Sequence, residues 1–429
     1  GTGLGYRVLS GTTIALQRPG QSDLAPGALQ LDPVRVQASV PPQAMIDNAP
    51  PPYAGGQVAT GSQLGLLGNR DVMDTPFNQL SYTAKKAQDQ QAQTVRDVLI
   101  DDPSVRIGRP TGNNGAQNMT IRGFTVESVD IAYGGLYGLL PTYAIGVELA
   151  ERIEVLKGPS AMLNGMAPSG AIGGTINVVP KRARDEPLTQ ATASYSSNAQ
   201  FGGAVDVGRR FGPEKEVGVR VNGSFRAGQT AVQWNAEETA LGSIGLDYRG
   251  DGLRLSFDGG YQYQYIGGMI PYLGLANGVP LPWAPDARKN WGQPWGNISR
   301  KDLFGVIRGE VDLTERITAY AAFGAHDFRL GILAGGPIVT ASNVNGTATA
   351  TPGNISQYYQ CLTGETGIRG LVDTGPIGHE FSVVGTMFQQ MTGIATVNGT
   401  PYATNFYNPN IIAPPAIPTG AANKTGTMN

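Results

Sequence analysis

Three segments in the C-terminal half of the chain alternate apolar and polar residues over ten or more positions: 217–226, 252–265 and 316–326. In segment 252–265, leucine, phenylalanine and tyrosine occupy one face, while arginine, serine, aspartate and glutamine occupy the other. A period of two predicts β-strands with one apolar face and one polar face. Strands of this length are about twice the usual 5–6 residues. The pattern therefore favours long strands over those of an ordinary sandwich.

The predicted connections between these strands alternate in length. Short turns are expected at 212–215, 249–252 and 314–315, and long excursions at 266–299 and 330–380. Long strands with short turns at one end and long loops at the other are typical of outer-membrane β-barrels. Tyrosines near the strand ends also suit an interfacial aromatic girdle. A soluble β-sandwich or β-solenoid is the alternative.

The composition agrees with a chain rich in strands and turns. Of 429 residues, 61 are glycine and 30 are proline, and only 15% are charged. Typical soluble domains carry about 25% charged residues. The low charge argues against helical bundles and coiled coils, and against disorder driven by charge. Abundant glycine, asparagine and proline suit a chain with many turns.

Several functional classes find no support in the sequence. The net charge of −2 offers no electrostatic footprint for nucleic acid. Cys361, placed in the second long excursion, has no partner for a disulfide within the chain, and His326 and His379 are too few for an ordinary zinc site. Nucleophile-elbow, HExxH and Walker motifs are not found, so the sequence does not predict an enzyme. No run of 18 apolar residues is present.

The N-terminal half has a different character. Residues 1–18 predict a small hairpin around Ser10-Gly11, and the proline-rich stretch 38–69 predicts an extended linker. A compact α+β segment follows at about 75–185, with a helix that begins at Gln93-Thr94 and ends before Asp102-Pro103. Its strand candidates are 118–122, 127–132, 151–156 and 172–179.

Four stretches of this segment, taken in order, resemble the plug domain of TonB-dependent outer-membrane receptors. They are residues 74–105, MTIRGF at 119–124, ELAERIEVLKGPSAMLNG at 148–165 and PSGAIGGTINVVPKR at 168–182. The DTPF and IRGF sequences are most similar to the ferric-siderophore receptors of that family. The resemblance covers nearly the whole chain, although the predicted barrel matches only in pattern.

The resemblance implies a mainly β fold, a partial transmembrane antiparallel β-barrel with an α+β plug domain in its lumen. The implied organisation is a remnant of a periplasmic signalling domain at 1–20, a TonB box and linker at 21–70, a plug at 71–186 and the first part of the barrel at 187–429. Family members have 22 strands, whereas about eight or nine are predicted from residue 188 onward. The chain is therefore expected to be truncated and not to close a barrel by itself.

The resemblance also implies a function and partners. It implies energy-coupled uptake of ferric siderophores in the outer membrane of a Gram-negative bacterium, with no intrinsic cofactor. The implied partners are TonB with its inner-membrane energising complex, the ferric siderophore, outer-membrane lipid and, for signalling, an anti-sigma regulator. Two alternatives remain open. In the first, the cargo is cobalamin, haem, a nickel chelate or a glycan. In the second, the chain is a surface β-protein that transports nothing.

Residues 32–38 resemble a TonB box. Val34 and Val36 are β-branched and flank Arg35, and the segment precedes a proline-rich tether. Such a segment binds by adding a strand to the exposed sheet edge of a partner. A plain linker is the simpler interpretation. The residues of the predicted box are Asp32, Pro33, Val34, Arg35, Val36, Gln37 and Ala38.

Ligand contacts are expected from the loops of the plug and from the long excursion 266–299, which holds three of the four tryptophans. Aromatic side chains give contact area with a polar handle, and an arginine attracts an anionic chelate. Ordinary loop packing is the alternative for each. The candidates are Arg109, Asn113, Asn114, Tyr133, Tyr137, Tyr143, Tyr272, Trp283, Trp291 and Trp295.

Four charged residues on the predicted plug strands are candidates for contacts with the barrel wall. A plug in a polar lumen is expected to make polar contacts, and the family motif places charges at these points. The alternative is that they are ordinary exposed strand charges. The four are Arg122, Arg152, Glu154 and Lys157.

Overall fold

The structure, a computed structural model, describes residues 5–10, 13–17, 46, 49–108, 118–196, 198–422 and 425–428. The chain divides into two units, residues 1–42 and residues 43–429. In the first unit, β1 (Gly5–Ser10) and β2 (Thr13–Gln17) pair antiparallel, with Gly5 opposite Gln17. The predicted N-terminal hairpin is therefore confirmed. The predicted TonB box at 32–38 lies outside the described residues.

The second unit begins with a small α+β region, which we call the plug. Its helices are short, and none in the described part of the chain is long and apolar enough to cross a membrane. Its elements in chain order are β3 (Gly61–Gln63), β4 (Asn69–Asp71), β5 (Asn78–Thr83), α1 (Ala84–Asp89), α2 (Val95–Val98), β6 (Val105–Ile107), β7 (Met119–Ile121), β8 (Phe124–Val126), β9 (Ile131–Tyr133), β10 (Ala150–Lys157), α3 (Ala161–Asn164) and β11 (Gly174–Pro180). Single 3₁₀ turns occur at Gly65–Leu67, Val72–Asp74, Leu99–Asp101, Ser128–Asp130 and Val147–Leu149.

Strand β10 is the centre of the plug. It lies between β5 and β11 and pairs antiparallel with both, and β11 pairs parallel with β9. Ile153 and Val155 of β10 are buried against Ile176 and Val178 of β11, so the sheet supplies the plug core. Burying such side chains contributes roughly 1.5–3 kcal/mol each.

The local sequence explains where α2 begins. The Asp97 carboxylate accepts hydrogen bonds from the backbone N–H groups of Thr94 and Gln93, at 2.9 and 3.2 Å. This acidic side chain pairs two donors at the start of the helix. The helix continues into the 3₁₀ turn Leu99–Asp101 and ends at Asp102, as the sequence predicts.

The strand predicted at 127–132 is only partly correct. Ser128–Asp130 forms a 3₁₀ turn, and β9 begins at Ile131. The Asp130 carboxylate accepts a hydrogen bond from the N–H of Glu127, which closes the turn. Side-chain capping by an acidic residue therefore outweighs the strand preference of the surrounding apolar residues.

The rest of the second unit consists of long strands and the loops between them. Its elements are β12 (Leu188–Ser196), β13 (Gln200–Phe211), β14 (Val217–Gln229), β15 (Ala236–Gly250), β16 (Leu253–Gly267), β17 (Tyr272–Leu275), β18 (Asn297–Thr314), β19 (Ile317–Ala334), β20 (Ile338–Ala341), β21 (Thr347–Ala350), β22 (Gly353–Thr374), β23 (Ile377–Asn398), β24 (Tyr402–Asn405) and β25 (Thr425–Met428). Ten of them form one antiparallel sheet in the order β12-β13-β14-β15-β16-β18-β19-β22-β23-β25, which we call the wall.

The wall has one more strand than the upper count predicted, because the long loop expected at 330–380 spans only residues 335–352, between β19 and β22. Strand β19 extends to Ala334, and β22 and β23 form a hairpin of two 22-residue strands. Cys361 consequently lies in β22, where it is buried, and not in a loop. Glycine, threonine and glutamine are common on both faces of β22, so the alternation that marks the other strands is weak there.

In the wall, unlike in the sheet of a soluble protein, apolar side chains are exposed and polar side chains are buried. In β16, Leu255 and Phe257 are exposed, whereas Arg254, Ser256 and Asp258 are buried. The neighbouring strands β14, β18 and β19 show the same alternation. The polar face is directed toward the plug and the apolar face away from the protein. An apolar outer face with a polar lumen is the arrangement of a transmembrane barrel wall.

The apolar outer face predicts how the wall responds to a charge. Ile307 lies near the middle of β18 on this face and is 56% exposed, while Ile338 in β20 is similarly exposed, at 51%, but lies in a loop. Ile307→Arg is expected to destabilise the membrane-inserted fold by about 2–4 kcal/mol, since the side chain meets hydrocarbon. Ile338→Arg is the matched control and should have little effect. Partitioning of the two variants into lipid vesicles measures both effects, and equal losses would contradict the assignment.

Candidate functional site

The buried polar face of the wall bonds to backbone groups of the plug. The N–H of Gly146 donates to Oε1 of Gln262 in β16, at 3.0 Å, and the N–H of Thr142 donates to Oδ1 of Asp302 in β18, also at 3.0 Å. In β19, His326 contacts the carbonyl of Gly138 through Nδ1 at 3.0 Å. Because backbone groups must be paired when buried, these contacts fix the position of residues 138–146 against the wall.

Gly138 permits the closest approach in this region. Its φ is +76°, and a Cβ atom there would lie 2.7 Å from Sγ of Cys361 and 2.8 Å from the hydroxyl oxygen of Tyr359. A larger residue would meet both a strained backbone and a steric clash. The wall and the plug are therefore packed at this point with no room for a side chain.

Charged side chains add to these contacts. Arg226 of β14 bonds to Glu148 at 2.6 Å, and Arg308 of β18 donates to the carbonyl of Gly134 at 2.6 Å. Arg182, which follows the last plug strand, forms a bidentate pair with Asp258 of β16. Paired, charge-assisted bonds of this kind are stronger than neutral ones.

At the long-loop end of the wall, the plug presents Tyr143 to a group of wall residues. The hydroxyl of Tyr143 donates to Gln357 at 3.2 Å, and the guanidinium of Arg300 lies 4.3 Å from the centre of the Tyr143 ring. The ring of Phe328 is 5.4 Å away, and Tyr272 is close enough to interact electrostatically with Arg300. We call these residues the upper chamber. It combines aromatic rings, a cation and phenol groups.

A second small sheet covers this end of the wall. Strands β17, β20, β21 and β24 come from three separate loops and hydrogen-bond in that order. Their core contains Val339, Ala348 and Phe406. We call this the loop sheet, and it joins the three loops into one body.

Two of the three predicted tryptophans pack within the loops, and the third is exposed. The indole N–H of Trp291 donates to the carbonyl of Pro271 at 3.0 Å, and that of Trp295 donates to the carbonyl of Ile412 at 2.8 Å. Both therefore hold the loops together. Trp283 is 89% exposed at a loop tip.

The structure places the predicted plug residues in different environments. Tyr143 lies in the upper chamber. Tyr133 and Tyr137 are buried inside: Tyr133 packs edge-on against Phe304 at 5.4 Å, and the hydroxyl of Tyr137 lies 3.4 Å from that of Thr175. Neither is presented to a ligand. The remaining three predicted plug residues, Arg109, Asn113 and Asn114, lie outside the described residues.

The charges predicted to contact the barrel wall are placed differently from the expectation. Lys157 pairs with Asp102 of the plug at 2.9 Å, and Glu154 accepts hydrogen bonds from Gln63 and Asn177, also in the plug. Arg122 is exposed in a turn with φ of +52°. Folding brings these charges to partners distant in sequence.

Arg152, the fourth charge, is half-buried and leaves its Nη1 without a hydrogen-bond partner among the described residues. The contacts expected of these four residues are made by others, notably Arg226, Gln262 and Asp302. Arg226 and Gln262 are polar positions of the alternating segments 217–226 and 252–265, so a signal for them was present in the sequence.

Comparison with known proteins agrees with this arrangement. Residues 71–175 match the family model of the TonB-dependent receptor plug domain. The ferrichrome receptor FcuA of Yersinia enterocolitica is 41% identical over 366 residues, which are 85% of this chain and 48% of that protein. The crystal structure of BauA, the ferric preacinetobactin receptor of Acinetobacter baumannii, is 36% identical with a TM-score of 0.81 and covers 87% of this chain and 56% of its own.

The chain belongs to the TonB-dependent receptors. It spans about half the length of the Yersinia enterocolitica receptor that it matches. The fold is also that of the ferripyoverdine receptor of Pseudomonas aeruginosa, which matches over all of this chain and 54% of its own, with a TM-score of 0.70 at 13% identity.

The family places this receptor in the outer membrane of a Gram-negative bacterium, with the wall as part of its barrel and the plug in the lumen. The matching proteins are transport receptors and not enzymes. The short turns of the wall are then periplasmic, and the long loops with the loop sheet are extracellular. Within the described residues, no group of three or more histidine, cysteine, aspartate or glutamate side chains is arranged to hold a metal ion.

Glu154 predicts a local pH dependence in the receptor. Burial raises the pKa of this carboxyl to about 7, above its ordinary 4.5. The folded plug therefore holds the proton more tightly than the unfolded chain, and its local stability falls as the pH rises from 4.5 through 7. A shift of this size corresponds to about 3 kcal/mol.

The backbone N–H of Gln63 donates to the Glu154 carboxyl, so its hydrogen exchange reports on this effect. Hydrogen-exchange protection at Gln63, corrected for intrinsic rates, is expected to fall between pH 5 and 8. In Glu154→Gln, which keeps the acceptor and loses the charge, it should stay level. Glu151→Gln is the control, since Glu151 pairs with the exposed Arg184, and should keep the wild-type profile. A level profile in the wild type would refute the interpretation.

Proposed function

We propose that this receptor carries out energy-coupled uptake of ferric siderophores, with the upper chamber as the place where the chelate is first held. The observation that carries the proposal is the position of Tyr143. It is the plug residue that meets Arg300 and Gln357 directly beneath the extracellular loops. The names of the relatives, a ferrichrome receptor and a ferric preacinetobactin receptor, support this class of cargo.

The chemistry of the chamber suits an iron chelate. The guanidinium of Arg300 is buried and donates to Gln264 at 2.8 Å, so it contributes a positive charge beneath the Tyr143 ring, which attracts the oxygen atoms that surround the metal in a siderophore. The rings of Tyr143 and Tyr272 add contact area, and their hydroxyls add polar contacts. The iron arrives within its chelate, so the proposal requires neither a resident cofactor nor a catalytic step.

Removing the Tyr143 side chain tests the chamber. Tyr143→Ala is expected to weaken ferric-siderophore binding at least about tenfold, because a ring that contacts ligand often contributes 1.4 kcal/mol or more. Tyr137→Phe is the control, since its hydroxyl lies inside the plug, and should bind as the wild type does. Titration of intact cells with the radiolabelled ferric chelate, with haem and cobalamin as competitors, provides the measurement. Unchanged affinity in Tyr143→Ala would exclude the upper chamber as the binding site. Displacement of the ferric chelate by haem or cobalamin would assign that competitor as the cargo.

We also propose that residues 32–38 couple the receptor to TonB by strand addition. The support is the sequence alone: a β-branched segment precedes a proline-rich tether that leads to the plug. An extended segment of this type supplies main-chain hydrogen bonds to a sheet edge of the partner. A signalling output through an anti-sigma regulator, expected from residues 1–20, stays a prediction.

Deleting residues 32–38 separates binding from transport. Uptake of the ferric siderophore is expected to be lost, since the pulling partner has no strand to pair with, while binding at the cell surface is unchanged. A deletion of the same length in the linker, residues 21–27, is the control and should keep uptake. Uptake at the wild-type rate after loss of 32–38 would refute the role of this segment.

A further inference from the structure

The apolar outer face of the wall has a sharp upper limit on its extracellular side. In β18, the outward positions from Leu313 to Leu303 carry only apolar side chains or glycine, and the next outward residue is Lys301. Strand β19 shows the same change between Ala325 and Asp327. Ten positions along a strand tilted by about 40° rise roughly 25 Å, which is the height of the apolar band of such barrels. The first outward charges therefore lie where hydrocarbon gives way to lipid headgroups.

Two cations, Lys301 and Arg329, lie side by side at this boundary. They are direct partners in the antiparallel pairing of β18 and β19, so their Cα atoms are about 5 Å apart and their side chains leave the same face. Both side chains are exposed. Tyr263 of β16 is the partner of Lys301, and Tyr358 of β22 is the partner of Arg329. These four residues cross four neighbouring strands at one level, and we call them the cation row.

The two cations differ in how they are held. Arg329 donates from Nε and Nη2 to the carboxylate of Asp327, both at 2.9 Å, and its guanidinium lies 5.5 Å from the centre of the Tyr358 ring. Gln360 donates to the same carboxylate at 2.7 Å. Lys301 has no hydrogen bond or ion pair with any residue that the structure describes. Because Asp327 balances Arg329, the positive charge of Lys301 is left uncompensated beside a guanidinium that is already oriented.

A loop segment covers the outer face directly above the β22 end of the cation row. The hydroxyl of Ser356, two positions beyond Tyr358 on the extracellular side, donates to the carbonyl of Gly420 at 2.8 Å. The amide of Asn354 donates to the carbonyl of Ile417 at 3.2 Å. The row is therefore bounded by polar protein above and by the apolar band below. A ligand that fits both surroundings has an anionic head and long apolar chains.

We propose that the cation row binds the phosphate group of a lipid in the extracellular leaflet, with the acyl chains along the apolar outer face. A phosphate monoester has up to about two negative charges and three strong acceptor oxygens. An oriented guanidinium beside a mobile ammonium group suits such an anion. The exposed side chains of Leu303 and Ile307 lie below Lys301 on the same strand and face the chains. The site is separate from the upper chamber and does not depend on the proposed uptake function.

Removing the two cations from the receptor tests this site. Lys301→Gln with Arg329→Gln keeps polar side chains and removes both charges. The matched control is Arg288→Gln with Lys289→Gln, which removes the same charge from a loop where Arg288 pairs with Asp286 two positions away. The purified receptor in neutral detergent micelles is titrated with fluorescent phosphatidic acid and, in parallel, with phosphatidylcholine that carries the same label. Inorganic phosphate is the competitor.

The wild type and the loop control are expected to bind phosphatidic acid at least about tenfold more tightly than phosphatidylcholine, because charge-assisted hydrogen bonds to the phosphate are added. The cation-row variant should lose this preference. A preference that persists there, or that is lost equally in the loop control, overturns the proposal. Displacement of phosphatidic acid by millimolar inorganic phosphate also overturns it, since the site would then bind the free ion. If the double variant does not fold, Lys301→Gln alone, with Lys301→Arg as the conservative rescue, is judged by the same criteria.

Discussion

The polar inner faces of β14, β16, β18 and β19 need hydrogen-bond partners that bulk water does not provide, and the plug supplies them. Buried polar groups without partners cost free energy comparable to a lost hydrogen bond, so the two parts specify each other. The wall contributes side chains such as Gln262 and Asp302, and the plug contributes backbone groups of Gly146 and Thr142. A surface that would be unsuitable for a soluble sheet becomes the means by which a separate α+β region is positioned.

The same inverted polarity explains which parts of the fold the sequence could predict. Segments 217–226, 252–265 and 316–326 lie in strands because lipid on one side and a polar lumen on the other impose a strict period of two. That signal fades in β22, where small and polar residues such as Thr363 and Gly364 occupy both faces, and the hairpin of β22 and β23 was missed.

The site was less predictable than the strands. Tyr143 and Tyr133 both stand in aromatic, glycine-rich plug sequence, yet one is in the upper chamber and the other is buried against Phe304. Lys157 finds Asp102 inside the plug, 55 positions away in the chain. These outcomes depend on how the plug sits against the wall, and a one-dimensional pattern carries no information about that placement.

The loop sheet has a consequence for how the receptor can change over generations. Its strands are joined by backbone hydrogen bonds, which every residue type except proline can make, while Leu281 and Trp283 extend fully exposed at the tip of one loop. The shape of the extracellular surface is thus set by main-chain hydrogen bonds, and its chemical character is set by the side chains at the loop tips. Substitutions at the tips can alter what the extracellular surface contacts, while the aromatic chamber beneath keeps its geometry.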